Sequence, residues 1–286
     1  MSLGPAAVAQ PAPATPPLHG GMVSYPDGLI EGNWQFGFQV CPENCDEVRT
    51  WDPACRPGGP TQKPMPAANR PCYEVDPFQL IATFECGSHG WTSQDYPGRA
   101  RRLLEAGLSK ALEYELWTGA QKPGNFHLTG PTSTVLNGGN SVSALTALRW
   151  LGQALAGCGT GARGMIHAPT FLVDTWIDQT PMVKEDGTRL VTVNRGDIII
   201  SGSGYDGSGP GGIPAPPGKT WAYATGLVQK KLDDVEIIPG TLGEALNRAT
   251  NTITFRAERL AVAWGDPCCH FAILVDLPDF CPDCVR

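Results

Sequence analysis

The residues 101–119, "RRLLEAGLSKALEYELWTG", constrain this chain more than any other stretch. Ala100, Leu103, Leu104, Leu108, Ala111, Leu112 and Leu116 recur at the i, i+3, i+4 spacing of an amphipathic helix over more than four turns. Ser93 and Asp95 are start signals and Gly119 is a stop, so the pattern predicts a helix over 93–119 with one apolar stripe laid on a sheet. Its three carboxylates, Glu105, Glu113 and Glu115, raise the question of acid–base chemistry. On a regular helix Glu113 and Glu115 project about 160° apart, so they cannot act as a pair. Glu105 has Arg101, Arg102 and Ser109 as ordinary i±3 and i±4 neighbours. The glutamates therefore read as a solvated polar face, and the helix as a strut.

Around this helix the pattern is α+β without a regular βαβ repeat. "NWQFGFQV" alternates like a strand, with Trp34, Phe36, Phe38 and Val40 on one face, and "DPFQLIATFEC" (76–86) reads as a buried strand. Between them lie about 35 Pro-, Gly- and polar-rich residues with no helical period, too long for a plain connection. A second helix is expected at 141–157, capped by Asn140 or Ser141, and a third from Thr170 through Trp176. Strands are expected at "ARGMIHAP", on both sides of Asn194-Arg195-Gly196-Asp197, and in "TWAYATGLVQKKLDDVEII". Two closing strands, "TNTITFRAERLAVAWG" and "CHFAILVDL", are split by Asp266-Pro267. Residues 1 to about 30 are Ala/Pro-rich with no charge before Asp27, so they read as a tail or as an arm that orders only against a neighbour.

A net charge of −7 argues against wrapping nucleic acid, and no run of 18 apolar residues exists to span a membrane. The N-terminus lacks the basic and apolar regions of a signal peptide. That sits awkwardly with cysteines at 41, 45, 55, 72, 86, 158, 268, 269, 281 and 284. "CPENC", "CPDC", "CGSH" and "CCH" have metal-like spacings, but their convergence is not readable from the sequence. Disulfides or structural thiols rank first, zinc second, and redox catalysis third, since "CPDC" has no room for a following helix. The histidines at 19, 89, 127, 167 and 270 form no HExxH, and no Walker loop, GxSxG or GxGxxG opens a helix. No catalytic residue, cofactor site or metal site is assigned.

The Ala/Pro arm, the long hairpin and "ARRLLEAGLSKALEYELWTG" together resemble a tailed-bacteriophage major capsid protein of the Hong Kong ninety-seven-type fold. "RGMIHAPTFLVDTW", "RGDIIISGSGYDGSGP" and "TWAYATGLVQKKLDD" are similar to the axial region of actinobacteriophage capsid proteins, and "FRAERLAVAWGDPCCHFAILVDL" to their closing strands. The likeness runs through residues 34–280. It implies an N-terminal arm at 1–33, an extended E-loop hairpin and first peripheral strands at 34–92, and a spine helix at 93–119. An axial domain at 120–234 and a return to the peripheral domain at 235–286 would follow. It also implies hexamers and pentamers of this chain closing an icosahedral head around DNA without specific binding. A decoration protein and a portal would be further partners, with synthesis in the host cytoplasm and no membrane. In such a subunit Cys41, Cys45, Cys55, Cys72, Cys281 and Cys284 are candidates for disulfides formed after lysis, within or between subunits. Lys63 is the candidate E-loop lysine for an isopeptide crosslink, against the plainer reading of a surface lysine. The alternatives are an encapsulin-like or other virion shell component, a zinc- or thiol-dependent enzyme, and a monomeric binding module.

Overall fold

A computed structural model describes residues 20–30, 32–42, 72–87, 95–159 and 161–277. The chain opens with β1 (Phe38–Val40), β2 (Tyr73–Val75) and β3 (Phe78–Gly87), then α1 (Asp95–Thr118). Next come β4 (Thr134–Val135), β5 (Val142–Ser143), α2 (Ala144–Ala156), β6 (Met165–Pro169), α3 (Thr170–Gln179), β7 (Val183–Asp186), β8 (Arg189–Thr192) and β9 (Ile198–Gly202). The last third holds β10 (Lys219–Thr225), β11 (Val228–Leu232), β12 (Glu236–Ile238), α4 (Leu242–Ala245), β13 (Leu246–Asn247), β14 (Thr252–Gly265) and β15 (His270–Asp276).

These elements make two main sheets. In the five-stranded sheet the long β14 is the centre, with β3 along one edge and β11, β12 and β13 along the other. The eight-stranded sheet runs β4-β15-β10-β6-β9-β8-β7, with β5 also on β15. A separate antiparallel pair, β1 and β2, stands apart from both.

Period-two alternation explains how the larger sheet serves two cores. Met165, Ile198, Ile200 and Tyr223 face the core under α1, whereas Ile166, Ala168, Ile199, Ala222 and Ala224 face α2 and α3. With both faces covered, β6 and β9 read as continuous apolar runs. In the smaller sheet Ala257, Ala261 and Ala263 of β14 present small side chains to the core that α1 joins with Leu104, Leu108, Leu112 and Leu116.

The apolar stripe of α1 differs from its expected set. Leu103 is 50% exposed and Ala111 is exposed, while Glu113 and Glu115 are buried. Leu103 and Ala111 each precede a sheet-facing leucine by one position, about 100° around the helix. In the second half of α1 the covered arc instead widens toward Glu113 and Trp117, because residues 20–25 and the loop after β9 close over that side. The solvated glutamate face is therefore corrected for Glu113 and Glu115.

Other boundaries shift for local reasons. Trp34–Phe36 is a 3-10 turn, so only Phe38–Val40 of the expected first strand pairs. Ser143 caps α2, its hydroxyl accepting from Thr146 N at 3.4 Å, while Ser141 is taken up by Lys219 Nζ at 2.6 Å. The boundary expected at 234/235 does not follow sheet membership: β11 lies in the smaller sheet and β15 returns to the larger. Residues 20–30, expected as tail or neighbour-dependent arm, dock on their own chain, with Met22 fully buried. Residues 1–19, residues 43–71 with Cys45, Cys55 and Lys63, and Cys281 and Cys284 lie outside the described residues.

Candidate functional site

Among the described residues, polar groups gather at the base of the β1–β2 pair and at the joint where α1 meets the larger sheet. The base is built on a small apolar cluster of Trp34, Val75, Val262 and Trp264, with Phe38 edge-on to Trp264 at 5.3 Å between ring centroids. Beyond the last pairing, Val40 with Tyr73, the next residues out are Cys41 and Cys72, and a disulfide joins them. The Tyr73 hydroxyl donates to the Gly265 carbonyl, and burial pushes its pKa up to about 12.

The corner after β2 is clamped from the far end of α1. Asp76 N donates to Asn125 Oδ1 at 2.8 Å, and Asn125 Nδ2 donates to the Asp76 carbonyl at 2.7 Å. The loop carrying Asn125 is held by buried Glu115, which accepts from Gln121 N at 2.9 Å and Lys122 N at 2.8 Å. Gly119 makes this turn possible by taking φ +62 while its N–H donates to the Glu115 carbonyl. Lys122 and Asp76 also pair at 3.4 Å, but both side chains are solvent-exposed, so the pair contributes little. A cleft of about 320 Å³ opens between this base and the 123–132 loop, walled by Pro42, Tyr73, Phe126 and Pro267.

At the joint, Glu113 is fully buried and takes four donors. Met22 N (3.0 Å) and Ser109 Oγ (2.7 Å) reach Oε1; Ser203 Oγ (3.2 Å) and Gly204 N (3.1 Å) reach Oε2. That fills the acceptor positions of a carboxylate, two per oxygen. The approach requires a glycine: a Cβ on Gly204 would lie 2.1 Å from the Lys110 carbonyl oxygen.

One turn along, Trp117 Nε1 donates to Ser208 Oγ at 3.0 Å, and the Tyr223 hydroxyl donates to the Ser208 carbonyl at 3.1 Å. Trp117 packs on Tyr205 and Tyr223, which lead to His167 and His270. His167 bridges the Tyr205 hydroxyl (2.9 Å) and Thr225 Oγ1 (3.0 Å); His270 Nε2 meets the Leu128 carbonyl at 2.9 Å. Burial lowers the His167 pKa to about 3, with nearby His270 adding to the effect. Burial also lowers that of His270 to about 4, against the opposing bond to Leu128. Tyr205 and Tyr223 are raised, again chiefly by burial.

Chemically this arrangement is a saturated joint. The serine hydroxyls are already committed, Ser203 to Glu113 and Ser208 Oγ to Asp206 at 2.6 Å, and the histidines bond to the Tyr205, Thr225 and Thr132 hydroxyls and the Leu128 carbonyl, not to either serine. Among the described residues no three His, Cys, Asp or Glu side chains converge as metal ligands. Of the candidate thiols, Cys41 and Cys72 are brought together. Cys158 joins Cys269, a pair outside the candidate set, and Cys86 is the free thiol among the described residues. Sequence reasoning missed Glu113, Glu115 and Asn125; the available signal was a carboxylate set inside the Leu112, Leu116 and Trp117 arc.

What remains open is the far side of α1, where Leu103 (50% exposed) and Tyr114 (44% exposed) flank Gly107 and Ala111. No protein-family model and no curated protein matches the sequence. Solved structures do match the fold. The capsid of an empty GTA particle aligns with a TM-score of 0.55 at 12% identity, covering 96% of this chain and 95% of that one. A virus-like particle from Pyrococcus furiosus aligns at 0.53 and 12%, covering 88% and 90%. Microbacterium phage Oxtober96 aligns at 0.51 and 12%, covering 94% and 96%. The chain therefore has the α+β fold of the phage capsid proteins, of the Hong Kong ninety-seven type.

Proposed function

We propose that this chain is the building block of an icosahedral tailed-phage head that encloses packaged double-stranded DNA, a structural role and not an enzymatic one. The observation that carries the reading is end-to-end correspondence: 96% of this chain lies on 95% of a capsid subunit, with no large unmatched piece in either. The open side of α1 supports it, because a partly apolar stripe on a rigid 24-residue helix is a surface suited to a second copy. In this reading α1 with the five-stranded sheet is the peripheral part, and the eight-stranded sheet with α2 and α3 is the axial part. The β1–β2 pair is the root of the projecting hairpin. Its disulfide forms by oxidation once the particle has left the reducing cell. Negative-stain microscopy of the purified protein tests the proposal. Closed shells or capsomer rings support it; a dispersed small species under all assembly conditions opposes it. Phage-sized heads bearing a portal and tail would separate it from an encapsulin-like compartment.

A further inference from the structure

Residues 20–30 cross the whole joint. The Gly20 carbonyl accepts from Ser201 N of β9 at 3.0 Å. Met22 is buried in the core shared with α1, and its N–H donates to Glu113. Tyr25 lies under the Arg189 guanidinium of β8, 4.8 Å from Cζ to the ring centroid. Asp27 pairs with the nearly buried Lys230 of β11, whose carbonyl accepts from Gly28 N at 2.7 Å. Gly28 sits so close to β14 that a Cβ there would be 2.5 Å from the Trp264 ring. Eleven residues thus contact β8 and β9 of one sheet, α1 between, and β11 and β14 of the other. Glu113 binds the segment, its own helix and the loop leaving β9 at once.

We infer that residues 20–30 are a brace that sets the angle between the two sheets, with Glu113 as its positioning residue. The segment is tied to three bodies, the larger sheet, α1 and the smaller sheet, so loosening one end lowers the protection of the other. A flexible linker or a passively packed tail would not transmit that effect. In a shell the angle between the sheets determines how subunits meet, so this functional consequence rests on the capsid reading, whereas the brace itself does not.

Hydrogen exchange on the unassembled full-length chain tests the brace directly. Glu113→Gln sets an amide NH2 against one pair of donors, Met22 and Ser109 or Ser203 and Gly204, and removes the charge that strengthens the bonds from the other pair. Gly28→Val drives a side chain into Trp264 at the opposite end. The expected result is that Glu113→Gln speeds exchange at Gly28 as well as at Met22 and Gly204, roughly tenfold or more. Gly28→Val should do the same at Met22, with the β3–β14 ladder unchanged in both. Faster exchange confined to the mutated end overturns the brace, as does unprotected Met22 and Gly28 in the wild type. If Glu113→Gln does not fold, Gly28→Val alone decides, read at Met22. Intact two-ended coupling in a protein that never forms particles would defeat the capsid reading and leave the brace standing.

Discussion

The joint around Glu113 and the base of the β1–β2 pair are held by opposite means. At the joint every buried polar group discussed has a partner, and the network spans α1, β6, the loop after β9, β10 and β15. At the base the non-covalent ties are fewer and more exposed, a two-bond clamp from Asn125, a surface ion pair and a small apolar cluster, and one disulfide adds a covalent tie. The difference teaches where this fold is rigid by packing and where it is rigid by covalent closure. A buried carboxylate is safe only when fully satisfied, so Glu113 specifies one arrangement of its neighbours. A short β-pair on a small core has no such option, and the Cys41–Cys72 bridge supplies the closure.

The largest effect that would sharpen this contrast is Glu113→Ala. It leaves four donors without their acceptor, at about 1 to 1.5 kcal/mol each, so urea unfolding should show a loss of roughly 4 to 6 kcal/mol. A loss below about 1 kcal/mol would mean the joint is not held by its carboxylate. Acid comes next. The folded-state pKa values of His167 and His270 lie near 3 and 4, below the ordinary 6.5, so unfolding takes up protons once the pH falls below 6.5. Stability is therefore complete above that value and is lost on acidification, by about 1.4 kcal/mol per pH unit per histidine. Between pH 8 and 5 the sum is about 4 kcal/mol, readable as a shift in denaturant midpoint. A His167→Gln variant should lose about half of that slope, and an unchanged slope would place the acid sensitivity elsewhere.

At the base, Cys72→Ser opens a loop closed by residues 31 apart, which the chain-entropy account values at roughly 3.5 to 4 kcal/mol. The same loss should follow reduction of the wild type but not reduction of the variant, with thermal melting as the readout. The smallest effect is Asn125→Ala, about 1 to 2 kcal/mol, because its two bonds to Asp76 are solvent-accessible. A larger loss there than for Glu113→Ala would invert the comparison.

The parts of this fold that rest on a local period were legible in the sequence. The leucines 104, 108, 112 and 116 announce α1, Gly119 ends it, and the strand patterns of β6, β9, β14 and β15 stand in the residues themselves. What stayed hidden depends on partners far along the chain. A helical wheel gives directions but not how many bodies surround the helix. Glu113 and Glu115 therefore looked solvated until residues 20–25, the loop after β9 and the 121–122 turn closed over them. For the same reason Leu103 and Ala111 were assigned to a core they do not reach. Cysteine pairing is a property of register: Cys41 meets Cys72 because Val40 pairs with Tyr73, and no spacing rule states that.

The central claim is that a rigid subunit presents the open side of α1 to another copy of itself. Sedimentation velocity of the wild type beside the double variant Leu103→Asp, Tyr114→Asp tests it most directly, both residues being exposed and outside the joint. The account predicts fast-sedimenting assemblies for the wild type and folded, slowly sedimenting subunits for the variant, with matching circular dichroism. Assemblies of equal size from both proteins, or none from either, would contradict it.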